Sequence, residues 1–222
     1  MKRVLVLQHT EAEYLGLLED HLEGRNIRFV YARPFAAGGG VPTQAGADGL
    51  ILLGGGPYGV VSGHILPSLG AELRLAAAYL AEGKPVVGFG LGAVLLAIAA
   101  GGGAEEAPLR FVVETALGSG GLPGRFPLAC YLRDAPALRD EWEVLARGAD
   151  SAPLVFAPRH NAVGFVGHPG MKRGMAEDLI MEFADTPEDC PVALAALGAA
   201  QGEVAEALGP LMVWLVGRCG WM

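Results

Sequence analysis

Cysteine is scarce in this chain, and so is charge. The 222 residues include three cysteines, Cys130, Cys190 and Cys219, whose wide spacing and odd number indicate neither a disulfide framework nor a CxxC metal site. A reduced, cytoplasmic setting is the simplest interpretation. Charged residues make up 18% of the chain and the formal net charge is -8, which disfavours nucleic acids and anionic membranes as partners.

The sequence also predicts neither a leader segment nor a membrane-spanning apolar run. Lys2 and Arg3 lead directly into a short strand pattern with no small-residue cleavage site, so we expect no signal peptide. The most apolar segment, residues 208–222, is interrupted by Gly209-Pro210 and is shorter than the ~20 residues that a bilayer helix needs. Hydrophobic residues nevertheless make up 52% of the chain, which predicts a globular protein with a substantial core.

The order of the apolar patterns predicts the fold class. In the first half, short buried-strand patterns alternate with helical patterns, which is typical of a three-layer α/β domain with a flavodoxin-like, mostly parallel sheet. The predicted strands of this half are 4–8, 27–32, 50–53 and one formed by the apolar run Val86-Val87, and the predicted helices are 13–22, 66–80 and one that follows residue 90.

The second half of the chain has a different pattern. Short β-like runs at 110–115, 126–132, 142–146 and 154–157 predict an antiparallel extension of the sheet. A helix is predicted at 171–183, and an Ala/Leu-rich helical tail follows it. We therefore expect a main domain at 1–186 and a C-terminal helical extension at 187–222, packed on that domain or forming an interface.

One stretch predicts a functional site. Val86 and Val87 lead into Gly88-Phe89-Gly90-Leu91-Gly92, and an Ala/Leu-rich helical pattern follows. This pattern predicts a buried parallel strand, a sharp turn and a helix whose N-terminus faces the turn, where an anion or oxyanion is stabilised. It is the geometry of a nucleophile elbow. The apex residue, Gly90, has no side chain with which to attack.

Three stretches resemble the class I glutamine amidotransferases, in the order that this family uses. Residues 88–97 are similar to the family's elbow, Gly-x-Cys-x-Gly-x-Gln-x-Leu. Residues 47–57 resemble the strand and glycine loop of its oxyanion hole, and residues 162–170 resemble the strand that ends in His-Pro-Glu. The start of the chain, residues 4–9, looks like the subgroup related to the glutaminase part of GMP synthase. The resemblance also implies the antiparallel extension.

The family's catalytic triad is incomplete in this chain. The nucleophile position is Gly90, the acidic position is Gly170, and the Gln that follows the elbow is replaced by Val94, so that only His168 is retained. Amide hydrolysis by this route requires a thiolate, a base and a group that orients the base. We therefore expect no glutaminase activity. The resemblance implies a catalytically degenerate relative that acts as a non-catalytic binding or scaffolding subunit of an enzyme complex.

A ligand pocket is predicted at the carboxyl edge of the sheet, where open α/β sheets bind their ligands. Its expected lining is His9, Gly54, Gly55, Gly56, Gly90, Leu91 and His168. Backbone N–H groups of the glycine loop can hold an anion without any side chain, so a small anionic or amide ligand is the expected occupant. No metal ligand set and no cofactor are indicated.

Two other functional hypotheses stay open. A relocated nucleophile, Cys130 or Ser62, working with His168, would make the protein a hydrolase or transferase. The turn at Gly88–Gly92 also matches G-x-G-x-x-A, a dinucleotide-binding pattern, although the acidic residue expected about 20 residues later at a strand end is missing.

The apolar segment 208–222 is a candidate surface for binding another protein chain. An exposed apolar patch of this kind is an interaction surface, whereas a buried one belongs to the core. We favour a subunit interface here, with a protein partner or a second copy of the chain.

Overall fold

The computed structural model describes residues 1–222 and contains eleven strands and five helices. The strands are β1 (Arg3–Leu7), β2 (Arg28–Ala32), β3 (Gly49–Leu52), β4 (Val86–Phe89), β5 (Gly103–Glu105), β6 (Arg110–Gly118), β7 (Arg125–Leu132), β8 (Ala135–Ala137), β9 (Glu143–Arg147), β10 (Pro153–Arg159) and β11 (Ala162–Phe165). The helices are α1 (Leu18–Glu23), α2 (Leu69–Ala81), α3 (Leu91–Ala99), α4 (Arg173–Glu182) and α5 (Cys190–Arg218). None of the helices has both the length and the hydropathy required to cross a bilayer.

Nine strands form one mixed sheet in the order β2-β1-β3-β4-β11-β10-β9-β6-β7. The strands from β2 to β11 in that order are parallel neighbours, and the later pairings are antiparallel. The central strands β3, β4 and β11 are apolar and fully buried, as a sheet covered on both faces requires. The predicted α/β sheet with an antiparallel extension is confirmed.

Helical segments cover both faces of the parallel strands. In β3, residues 49 and 52 face opposite sides because side chains alternate along a strand. A Cβ at Gly49 would lie 2.7 Å from the indole of Trp221, which follows α5, whereas the Cβ of Leu52 is 2.7 Å from the Cβ position of Gly92 in α3. The two faces therefore pack against α3 and against the end of the chain, which gives the predicted three layers.

The apolar tail packs into the core of the main domain. The buried residues of its helix belong to the same hydrophobic cluster as β1 and β3; they are Leu208, Leu211, Met212, Leu215 and Val216. Trp221 is 3% exposed. The preference for a subunit interface through 208–222 was therefore wrong for most of these side chains, because the sheet covers them. The boundary at residue 186 stays a prediction.

The helix predicted at 13–22 is shorter in the structure. Only α1 is helical in this region, and residues 10–17 form a loop in which Gly16 has φ 63°. The prediction rested on the four-residue spacing of Tyr14, Leu18 and Leu22, which is helical but did not extend the helix to residue 13. The short ribbon of β5 and β8 was also missed, because three-residue strands leave no periodic signal.

The antiparallel half of the sheet curls back toward β11. Ala129 of β7 forms an isolated bridge with His168, in which the His168 N–H donates to the Ala129 carbonyl at 2.8 Å. The end of β7 thereby reaches the turn that follows β4, and the Tyr131 carbonyl oxygen lies 3.7 Å from the Cβ position of Gly90. Strands from both halves of the sheet thus surround this turn.

Candidate functional site

A sharp turn joins β4 to α3 at Gly90. This residue has φ 54° and ψ -119°, a conformation that residues with side chains rarely adopt. The flanking glycines allow close backbone packing, since a Cβ at Gly88 would lie 2.3 Å from the Gly92 carbonyl oxygen and one at Gly92 would lie 2.1 Å from the Leu52 carbonyl oxygen. A Cβ at Gly90 would meet nothing closer than 3.5 Å. A Cβ would therefore fit at the apex, where the chain has none.

The glycine loop, residues 54–56, lies against this turn. The Gly92 N–H donates to the Leu53 carbonyl at 3.1 Å and ties the start of α3 to the loop. A Cβ at Gly55 would lie 2.3 Å from Leu91 Cδ2, and one at Gly56 would lie 3.1 Å from the ring of Phe183. Apolar side chains therefore fill the space beside the loop, where the sequence predicts an open pocket.

The carboxyl group of Glu13 lies between the glycine loop and the apex of the turn. Its Oε2 accepts a hydrogen bond from the Gly56 N–H at 3.1 Å. Its Oε1 is 1.7 Å from the Cβ position of Gly54 and 4.0 Å from that of Gly90, so a side chain at residue 54 would displace it. Glu13 is 1% exposed. We call the surface formed by Gly54, Gly56 and Gly90 the glycine cradle; its anionic group is supplied by the chain itself.

Backbone contacts fix the segment that carries this carboxyl. The Glu13 N–H donates to Thr10 Oγ1 at 3.1 Å, and the Glu182 carboxylate accepts hydrogen bonds from the N–H groups of Glu11 and Ala12 at 3.3 and 3.2 Å. Burial raises the pKa of Glu13 to about 7, although the Gly56 N–H and the charge of His9 act in the opposite direction. Near pH 7 the carboxyl is therefore close to half-ionised.

His9 and Glu72 form a buried ion pair behind the loop. Nε2 of His9 is 2.7 Å from Glu72 Oε2 and Nδ1 is 2.9 Å from the Gly54 carbonyl oxygen, with both side chains fully buried. Both partners are acceptors, so both ring nitrogens carry protons. Burial lowers the pKa of His9, but the carboxylate of Glu72 and the Gly54 carbonyl outweigh burial and raise it overall. Ser68 Oγ donates to the other Glu72 oxygen at 2.5 Å. The pair anchors the glycine loop.

The cavity that reaches His9 is small. Its volume is about 60 Å³, and its lining includes Tyr58, Phe35 and Ser68. Ligand sites for small molecules usually enclose about 300–1,000 Å³. This cavity has room for water but not for a molecule of the size of glutamine.

His168 makes both of its ring hydrogen bonds to the backbone. Nε2 donates to the Tyr14 carbonyl at 2.9 Å, and Nδ1 accepts from the Gly170 N–H at 3.1 Å. The ring packs against Phe89, with 5.4 Å between ring centroids. Burial lowers the pKa of His168 to about 4, so the imidazole is neutral at pH 7. No lone pair is free to accept a proton as a general base, and His168 provides none of the three atoms nearest the Cβ position of Gly90.

Residue 170, to which the sequence resemblance assigns the triad acid, is closely packed. A Cβ at Gly170 would lie 2.4 Å from Leu18 Cδ1, and the Gly170 carbonyl accepts a hydrogen bond from the Leu17 N–H at 3.0 Å. An acidic side chain at residue 170 would have to displace the side chain of Leu18. The structure uses this glycine for packing.

Ser62 and Cys130, the two candidate substitute nucleophiles, are not hydrogen-bonded to a histidine base that could activate them. Ser62 Oγ donates to Asp134 Oδ1 at 2.5 Å, while Asp134 Oδ2 accepts hydrogen bonds from the N–H groups of Val60, Val61 and Ser62. Cys130 is fully buried in the main core, and burial raises the pKa of its thiol to about 12. Ser62 therefore stabilises a loop, and Cys130 stays a thiol.

The dinucleotide-binding hypothesis also lacks an accessible site. Every residue from Val86 to Ala97 is buried, and the Gly92 N–H is already bonded to a loop carbonyl. A pyrophosphate would need exposed N–H groups at this helix N-terminus. The geometry favours the elbow interpretation of the glycines.

The structure brings four of the seven predicted lining residues together. His9, Gly54, Gly56 and Gly90 all lie around the Glu13 carboxyl. Leu91 packs beside Gly55, whereas His168 is engaged by the Tyr14 carbonyl. Sequence reasoning missed Glu13, Glu72 and Asp134. One signal was available: Thr10-x-x-Glu13 has the form of a capping box, in which a hydroxyl accepts from the N–H three residues later.

Comparison with known proteins supports the fold assignment. No family model matches the chain, and no curated protein matches its sequence. Among solved structures, a glutamine amidotransferase from Methylobacillus flagellatus is similar with a TM-score of 0.80 at 20% identity, over 99% of this chain and 96% of that one. One from Thermotoga maritima gives 0.82 at 21% identity, over 98% of both chains.

A third similar structure is that of a Thermoplasma acidophilum protein described as a putative GMP synthase subunit. Its TM-score is 0.60 at 18% identity, over 93% of this chain and 98% of that one. The chain therefore has the fold of the glutamine amidotransferases over nearly its full length. The resemblance carried by the elbow, the glycine loop and the His-Pro segment is confirmed at the level of the fold.

Proposed function

We propose that this protein is a non-catalytic, glutamine amidotransferase-like subunit that binds or scaffolds other components of an enzyme complex. The observation that carries the proposal is the apex of the elbow, where Gly90 has no attacking atom and the Glu13 carboxyl lies 4.0 Å from its Cβ position. Covalent amide hydrolysis requires a nucleophile at this point. A carboxyl group in the same space also excludes a substrate amide.

The other two triad positions support the proposal. Both nitrogens of His168 are hydrogen-bonded to backbone groups, so the ring cannot take a proton from a neighbouring thiol. At Gly170, the side chain of Leu18 fills the space that an orienting acid would need. Restoring one residue would therefore leave the catalytic arrangement incomplete.

A protein partner is proposed on separate grounds. The similar protein from Thermoplasma acidophilum is, by its name, a component of a synthase. A domain of this fold that has lost its own chemistry can still contribute a docking surface, with a homo-oligomer as the alternative. The three cysteines are free and buried, which fits a reducing, cytoplasmic setting.

The test of the non-catalytic assignment is a glutaminase assay. Purified protein is incubated with glutamine, and glutamate release is followed with a coupled enzyme. We expect no release above the buffer rate. Turnover in the range of ordinary enzymes, ~1 s⁻¹ or faster, would refute the proposal.

A variant sharpens this test. Gly90→Cys places a thiol at the apex, where a Cβ has room, and we expect the variant to remain inactive because His168 is engaged and Glu13 occupies the cradle. Glutamate release by this variant would show that the machinery around residue 90 is intact. The partner is sought separately, by sedimentation of the pure protein for a homo-oligomer and by mass spectrometry of what co-purifies with the native protein.

A further inference from the structure

We propose that the glycine cradle is a binding site for a carboxyl group and that Glu13 of the chain is its resident ligand. This inference deepens the proposed function by naming the chemical class of group that the site takes. Its test measures binding and stability rather than catalysis, so that either proposal can fail without the other.

The contacts of the carboxyl are those of a bound ligand. One oxygen accepts the Gly56 N–H, and the other lies against the Cα of Gly54 so closely that no Cβ could be present there. Gly90 caps α3, a nine-residue helix that runs from Leu91 to Ala99. The N-terminus of a helix carries positive potential that favours an anion.

The charged groups around the cradle act on the Glu13 carboxyl in both directions. The cation of His9 attracts the Glu13 carboxylate, and Glu72 already balances that cation through a direct ion pair. Glu182 opposes the ionised form from the far side of the 10–13 segment. The phenol of Tyr131 is buried, has no hydrogen-bond partner and is close enough to respond to the charge of Glu13. Burial outweighs these attractions and raises the pKa of the carboxyl, so the cradle holds this group in its neutral as well as its ionised form near pH 7.

The size of the occupant suggests a direct experiment. Glu13→Ala removes Cγ, Cδ and both carboxyl oxygens, the same four heavy atoms that make up acetate. The vacated space should therefore fit acetate, leave a gap around formate and exclude larger carboxylates. In Glu13→Ala the buried Gly56 N–H loses its hydrogen-bond acceptor, which destabilises the folded chain. Acetate bound in the vacated space should restore part of that stability.

The measurement is the urea midpoint of Glu13→Ala in increasing sodium acetate. We expect a midpoint that rises with the logarithm of acetate concentration, beyond the rise in sodium chloride of equal ionic strength. Glu13→Gln keeps the cradle filled and should respond to acetate no more than the natural chain does. Leu22→Ala, which opens an apolar cavity elsewhere in the core, is the matched cavity control.

The result that overturns the inference is an acetate response of Glu13→Ala equal to that of Leu22→Ala. If Glu13→Ala fails to fold even in acetate, NMR of the natural chain decides. The Gly56 amide resonance should then move with pH as Glu13 ionises, and this movement should be absent in Glu13→Gln. A Gly56 amide that does not titrate in the natural chain excludes Glu13 as the ligand.

Discussion

The ionisation of Glu13 makes the strongest quantitative prediction about the stability of this protein. Burial raises the pKa of this carboxyl from an ordinary 4.5 to about 7. The folded chain therefore binds a proton more tightly than the unfolded chain, and the resulting stabilisation is complete below pH 4.5. It is lost as the pH rises through the interval between these two values. The loss amounts to about 3 kcal/mol of unfolding free energy.

Glu13→Gln isolates this contribution. The amide oxygen of Gln can still accept the Gly56 N–H, but the side chain no longer ionises. We expect the difference in unfolding free energy between the natural chain and the variant to change by about 3 kcal/mol from pH 4.5 to pH 8, in favour of the variant at high pH. His9, whose raised pKa gives a loss in the same direction, is present in both proteins and cancels to first approximation.

The assay is urea denaturation at fixed temperature across this pH range, with Glu182→Gln as a control. Glu182 also accepts backbone N–H bonds from the 10–13 segment, but its side chain is exposed. Its profile should run nearly parallel to that of the natural chain, because the charge of Glu182 is the smallest of the causes that set the pKa of Glu13. A Glu13→Gln profile that is parallel as well would refute the burial of an ionisable carboxyl in the cradle.

Three further predictions concern single sites. Gly90→Ala should lower the free energy of unfolding by about 1–3 kcal/mol through backbone conformation alone. Gly88→Ala should lower it further, because its Cβ would lie 2.3 Å from a backbone oxygen. Thermal melts with the opposite order would contradict the elbow geometry. Glu72→Ala leaves the His9 cation buried without its partner and should lower the free energy of unfolding by about 3–5 kcal/mol. A chemical denaturation midpoint equal to that of the natural chain would exclude the ion pair. The Cys130 thiol, with a pKa raised to about 12, should react with a thiol reagent at pH 8 only after unfolding; rapid reaction of the native protein, followed by peptide mapping, would show that it is accessible.

The arrangement of strands and helices was predictable because buried parallel strands have a plain sequence signal. Alternating glycines follow Val86 and Val87, as expected for a sharp turn after a buried strand. Gly88 and Gly92 lie too close to backbone atoms for a Cβ, and Gly90 has a positive φ. The antiparallel runs were recognisable for the same reason, although their ends differed by a few residues. The His-Pro segment gave the position of His168 in the fold but not its hydrogen bonds.

The occupant of the site was not predictable from periodicity. Glu13 sits in a helical pattern with Leu18 and Leu22, and a glutamate is normally assigned to the solvent side of such a pattern. Its burial depends on a loop held by Thr10 and Glu182, and the latter is far away in the sequence. Tertiary contacts with backbone N–H groups decide the position of this side chain, and they leave no local signal.

The packing of Trp221 against Gly49 also constrains how the protein is made. The indole covers a strand in the first quarter of the sequence, and α5 supplies much of the apolar layer on that side of the sheet. During synthesis the nascent N-terminal strands therefore emerge with one face uncovered, and this face stays open until residues as late as Trp221 have been translated. Contacts between such distant positions slow folding, so a chaperone that shields the early strands should raise the yield of soluble protein.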